Sequence, residues 1–125
     1  PVISRADPTL SITVEKKDNG ALFRLKVKNP TESFLSFNFS SSQKFDFVVR
    51  EKASGFENWR WSKGNFFTQV VHNQALLPEE EWDFKFFWDF KDNERNDIQK
   101  GEYLVSGILT TRDPRETEPT PFTVP

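Results

Sequence analysis

An all-β fold, an antiparallel two-sheet immunoglobulin-like Greek-key sandwich of seven or eight strands, is what the sequence predicts. Three observations carry this expectation. Apolar and polar residues alternate over several short segments, turn-forming residues punctuate them at intervals of about a dozen positions, and no segment shows the three- and four-residue apolar spacing of a helix. The 14 Phe, 4 Trp and 1 Tyr among 125 residues supply the large rings such an interior needs.

Leu10, Ile12 and Val14 alternate with Ser11, Thr13 and Glu15, the period of a strand with one buried face. Asn19-Gly20 offers the residues of a tight primed turn, in which both central positions can need positive φ. Phe23, Leu25 and Val27 then alternate with Arg24, Lys26 and Lys28 to complete a hairpin that Asn29-Pro30 stops. A third strand carries Leu35, Phe37 and Phe39, and a fourth, after the Ser40–Gln43 loop, carries Phe45, Phe47 and Val49. Residues 52–58 read as a loop, followed by a short Trp59-Arg60-Trp61 segment, a Lys63-Gly64-Asn65 turn and a strand over Phe66–His72. Trp82, Phe84, Phe86, Trp88 and Phe90 give the strongest alternation in the chain. A polar loop over 91–100 leads to the strand of Tyr103, Val105, Gly107 and Leu109. Gly101-Glu102-Tyr103 resembles the tyrosine corner of immunoglobulin-like domains, where the phenol ties a crossover to its own backbone.

This length suits one domain. The expected division is a leader over 1–9, the sandwich over 10–111 and a Pro-rich arm over 112–125, in which Phe122 and Val124 can add a last edge strand. The sequence has no Met, so Pro1 reads as a processed or excised boundary, and a removed leader would place the protein in the envelope or outside the cell.

Several kinds of chemistry are excluded. A net charge of -2 lacks the basic excess of a nucleic-acid binder. Zero Cys removes thiol nucleophiles, thiolate metal sites and disulfides. No apolar stretch approaches the roughly 18 residues of a membrane helix, so no membrane insertion is expected. His72 is the only histidine, at a strand end with no nucleophile motif near it, and reads as structural or surface-exposed. Asp83 and Asp89 share the off-register face of the aromatic strand with Lys85, which reads as a solvated row rather than a carboxylate pair for glycoside chemistry. Asp92, Glu94 and Asn96 have the spacing that begins a calcium loop, but Asp97 and Tyr103 stand where that motif needs Gly and Glu. No catalytic residue, metal or cofactor is therefore expected, and the protein is not expected to be an enzyme. Most rings should pack in the core, with Phe34, Phe56, Trp59 and Phe87 off their strands' apolar register and so expected to be exposed.

Ser42-Gln43-Lys44-Phe45-Asp46-Phe47-Val48-Val49, Trp59-Arg60-Trp61-Ser62-Lys63 and Phe66-Phe67-Thr68-Gln69 together resemble the Bacillus-type intracellular proteinase inhibitor (BsuPI) family. The resemblance extends from Val27-Lys28-Asn29 through Leu77-Pro78 and Phe87-Trp88 to Gly101-Glu102-Tyr103. Pro78-Glu79-Glu80 departs from it, standing where the family has a Pro-Gly-Glu-like turn. The resemblance implies a β-sandwich without catalytic activity or cofactor that blocks serine proteases of the subtilisin type, and a cytoplasmic location; a monomer is expected. Phe45, Phe47, Trp61 and Phe66 read as core positions of that fold.

An inhibitor must offer an extended, preorganised segment with an anchor side chain. The 52–58 loop fits this by sequence, with Gly55, Phe56, Glu57 and Asn58 leading to the Trp59 anchor, and Ile98 in the charged 91–100 loop is the second choice. The alternative is a carbohydrate-binding or cell-envelope adhesion module, with Trp59, Trp88 or their neighbours as stacking platforms beside Arg60 and Lys63.

Overall fold

Alternation along the chain becomes ten antiparallel strands in a computed structural model that describes residues 7–125. They are β1 (Thr9–Lys17), β2 (Gly20–Lys28), β3 (Leu35–Phe39), β4 (Phe45–Glu51), β5 (Glu57–Arg60), β6 (His72–Leu76), β7 (Glu81–Trp88), β8 (Gly101–Leu109), β9 (Arg115–Glu116) and β10 (Thr120–Val124). One sheet has the order β1-β2-β7, a second β10-β8-β4-β5 with β9 also on β8, and β3 pairs β6 in a third. No helix occurs among the described residues. The count exceeds the expected seven or eight because β5 and β9 are too short to display a period. Residues 1–6 of the expected leader lie outside the described residues.

The two larger sheets meet through rings. Phe23 of β2 lies 5.8 Å from Phe47 of β4, Trp59 of β5 stacks on Phe86 of β7 at 5.6 Å, and Phe45 of β4 stacks on Phe84 of β7 at 4.7 Å, measured between ring centroids. In the β2–β7 register the inward pairs are Phe23↔Phe86, Leu25↔Phe84 and Val27↔Trp82. The outward residues form a charged ladder in which Arg24 contacts Asp83 at 3.3 Å and Lys26 contacts Glu81 at 3.9 Å. Asp83 is thus part of a solvated ion row that discourages edge-to-edge association. Tyr103 donates its hydroxyl to the Gln99 carbonyl at 2.7 Å, holding the entry into β8.

Three local expectations need correction. The β1–β2 turn is centred on Asp18-Asn19 rather than Asn19-Gly20, because Lys17 pairs with Gly20, and no residue in it has positive φ. Gly20 serves close approach instead: a Cβ there would collide with the Trp88 carbonyl oxygen and the Phe87 ring. Strand β7 ends at Trp88, and Phe90 turns the chain away with a φ of 62°. Finally, Phe66–His72 is not a strand. β6 starts at His72, where pairing opposite Phe39 begins, and residues 65–71 have no sheet partner.

One buried polar group ties the loops at one end. Asn29 is fully buried, and its side-chain amide donates to the Ser33 and Leu76 carbonyls at 2.8 and 2.9 Å. Its Oδ1 accepts from the Thr31 amide at 2.9 Å and the Thr31 hydroxyl at 2.7 Å. The Asn29 backbone pairs with Glu79 and Glu80, so the end of β2 is fastened to the turn before β7.

Candidate functional site

The exit from β5 is unusually well braced. Asp46, 3% exposed, accepts the Ser62 amide at 2.9 Å and lies 3.6 Å from the Arg60 guanidinium. Arg60 also forks onto Glu57, at 2.9 and 3.1 Å. That fork holds the Glu57 carboxyl below its usual range, with Lys63 contributing less, and raises Arg60 in turn. Asn93 closes the free edge of β5 as a neighbouring strand would: it accepts the Arg60 amide at 2.9 Å and donates to the Arg60 carbonyl at 3.0 Å.

From this base the chain turns at Gly64, whose φ is 91°, and runs through residues 65–71 without turn or bend. This strap is pinned at three points. Asn65 bonds back to the Ser62 carbonyl at 3.2 Å through its amide and to the Trp61 carbonyl through its side chain. Phe67 packs on Trp61 at 5.6 Å, Trp61 stacks on Phe45 at 4.3 Å, and Phe45 stacks on Phe84, a column of rings reaching the core. Thr68 receives the Ser42 amide on its carbonyl and donates its own amide to the Ser42 hydroxyl, both at 2.9 Å. Between and beyond these pins the strap shows apolar side chains to water: Phe66 is 100% exposed, Val70 60% and Val71 67%.

The residues expected to bind a partner divide between an exposed turn, Gly55 and Phe56, and the partly or fully buried Glu57, Asn58, Trp59 and Ile98. Gly55 and Phe56 belong to a compact β4–β5 turn, closed by the Gly55 amide on the Glu51 carbonyl at 2.8 Å and the Glu51 amide on the Phe56 carbonyl at 2.9 Å. Gly55 takes a φ of 78° with open space around its Cα, and Phe56 is exposed. The turn is folded on itself rather than extended, and it leads into β5, whereas the strap follows the exit from β5. Glu57 is engaged by Arg60, and Asn58 donates to Glu51 at 3.4 Å. Trp59, expected to be exposed, is buried among Phe23, Phe86 and Trp88, because β5 sits over the β2–β7 face. Trp88 is equally buried, so neither ring is available as a flat stacking platform. Ile98 is partly buried and plugs its loop onto the core. Phe34 and Phe87 are exposed, whereas Phe66, read as core, lies wholly in water.

Other polar groups have structural occupations. His72 stacks on Phe39 at 5.1 Å with Nδ1 3.4 Å from the Val70 carbonyl. Asp92 Oδ1 accepts the Glu94 and Asn96 amides, each at 2.9 Å. Asp89 pairs with Arg95, which holds its carboxyl below the ordinary range. Among the described residues no three His, Cys, Asp or Glu side chains are grouped to hold a metal.

The sequence reads as a strand where the strap lies, although one signal distinguishes the two. A half-buried strand alternates, but Phe66-Phe67 and Val70-Val71 are apolar doublets, and in an extended chain one member of each doublet must face water.

The family model described as intracellular proteinase inhibitor matches residues 8–114. No curated protein matches the chain. Solved structures with similarity include a β-glucosidase from Erythrobacter marinus (13% identity, TM-score 0.47, 93% of this chain and 15% of that one). Another is DesR, a β-glucosidase from Streptomyces venezuelae in complex with D-glucose (12% identity, TM-score 0.49, 98% of this chain and 15% of that one). The chain therefore spans only 15% of the length of either enzyme.

Proposed function

Because the chain belongs to the BsuPI family of intracellular proteinase inhibitors, we propose that it is a non-catalytic, immunoglobulin-like Greek-key sandwich that blocks serine proteases of the subtilisin type. The strap over residues 65–71 is the observation that carries this reading. A protease cleft binds its substrate as an added strand, through main-chain hydrogen bonds and pockets for alternate side chains. The strap has the matching properties: a course without turn or bend, a main chain that has no sheet partner and is tied only at Asn65 and Thr68, and apolar side chains in water. Its pins remove the ordering cost that a flexible peptide would meet on binding. The compact 52–56 turn offers an exposed ring but no extended segment, and so fits a cleft less well.

The test is stoichiometric titration of subtilisin-type and trypsin-type proteases with the purified chain, read by hydrolysis of chromogenic substrates. Loss of activity in proportion to added chain, greater for the subtilisin type, is expected. Unimpeded hydrolysis by every protease at micromolar chain would refute the reading.

A further inference from the structure

We propose that Phe66 is the side chain the strap delivers to a protease's specificity pocket, and that the Phe66–Phe67 peptide is the bond presented to the attacking serine. This rests on the inhibitor reading above. Phe67 is turned inward onto Trp61 while its neighbour Phe66 lies wholly in water, so the two rings part to opposite sides as adjacent side chains of an extended segment do. It is 100% exposed, with no part in the core. A ring this size suits a large apolar pocket, not the acidic pocket that selects Lys or Arg.

The pins lie on both sides of this bond, which determines what cleavage would do. The protease serine oxygen would join the Phe66 carbonyl carbon, the bond from that carbon to the Phe67 nitrogen would break, and that nitrogen would take the proton removed from the serine. In an ordinary substrate the new amine diffuses away. Here Phe67 stays stacked on Trp61 and Thr68 stays bonded to Ser42, while on the other side Asn65 stays tied to Ser62 and Trp61. The amine is therefore held beside the ester. Its return attack restores the peptide and gives the proton back to the serine oxygen, and proximity favours that step over attack by water. The strap is in this way cut and resealed rather than consumed.

Phe66→Ala, Phe66→Lys, Phe67→Ala and, as comparison, Phe56→Ala would be titrated against a subtilisin-type and a trypsin-type protease. Prolonged incubations would be analysed by mass spectrometry. Phe66→Ala should weaken inhibition of the subtilisin-type protease by at least about 30-fold, the effect of losing a central anchor. Its unfolding midpoint should be unchanged, because the ring contributes nothing to the core. Phe66→Lys should move inhibition towards the trypsin-type enzyme. On prolonged incubation only a fraction of the unaltered chain should gain one water, at the Phe66–Phe67 bond, with the two pieces held together by packing and still inhibitory, whereas Phe67→Ala should be cut and released faster. Full inhibition by Phe66→Ala, or a cut elsewhere, overturns this proposal and leaves the inhibitor reading standing. So does a loss confined to Phe56→Ala, which would move the site to the β4–β5 turn. No inhibition by the unaltered chain removes both readings.

Discussion

Glu79 occupies a backbone conformation made for glycine, and replacing it should stabilise the protein. Leu77-Pro78-Glu79-Glu80 is a turn closed by the Glu80 amide on the Leu77 carbonyl at 2.9 Å, and Glu79 has a φ of 62°. Pro at the second position and positive φ at the third define a type II turn, whose third position normally takes Gly. The left-handed conformation costs an L-residue about 1–2 kcal/mol. Glycine removes that strain but gives the unfolded chain extra freedom worth about 0.4–1 kcal/mol. Glu79 also lies 3.6 Å from Lys28, but both groups are exposed, with 71% of the Glu79 side chain in water. Such a pair contributes a few tenths of a kcal/mol. Glu79→Gly should therefore gain about 0.5 kcal/mol over the natural chain, the strain relief less the two losses. Glu79→Ala removes the ion pair and keeps the strain, so the Gly variant should exceed it by about 0.7 kcal/mol, or roughly 2–3 °C in Tm for a chain of this size. Urea unfolding of all three at pH 7, with m-values checked for constancy, measures the difference. A Gly variant no more stable than the Ala variant would refute the strain argument.

Other expectations follow from the same packing. Gly20→Ala should cost about 3 kcal/mol, because its Cβ meets the fixed Trp88 carbonyl, while Gly107→Ala, whose Cβ would meet the Leu25 Cδ1 at 2.9 Å, should cost about 1 kcal/mol; equal losses in denaturant unfolding would contradict this. Asn29→Ala strips its donor from the Leu76 carbonyl and its acceptor from the Thr31 amide, while the Ser33 carbonyl keeps the Thr31 hydroxyl, and should lower the unfolding free energy by about 3 kcal/mol; a loss below about 1 kcal/mol would show that water replaces the network. Glu57 and Asp89 have folded pKa values below their ordinary 4.5 and 3.8, so their ion pairs contribute fully above those values and are lost as pH falls through the folded ones. Urea midpoints should hold from pH 7 to about 5 and decline below about 4, with a shallower decline in Glu57→Gln; an unchanged decline in that variant would count against the Arg60 fork.

Composition and alternation were sufficient for the all-β class, because a period of two is a local property of the chain: Phe23, Leu25 and Val27 on one side, and Phe84 and Phe86 on another, declare their buried faces without knowledge of what covers them. The blocks from Ser42 to Gln69 carried the family for the same reason, as residues in order along the chain. What lay beyond the sequence was the environment of each ring. Trp59 and Phe66 are both aromatic residues, in adjacent blocks, yet one is buried because β5 crosses the β2–β7 face, and the other stands in water because the strap has no strand beside it. Burial is a relation between segments distant in the chain, and only the meeting of β4, β5 and β7 assigns Phe67 inward to Trp61 and Phe66 outward. The pinned strap is likewise a tertiary product, made by Ser42 and Thr68 reaching each other across 26 residues of sequence.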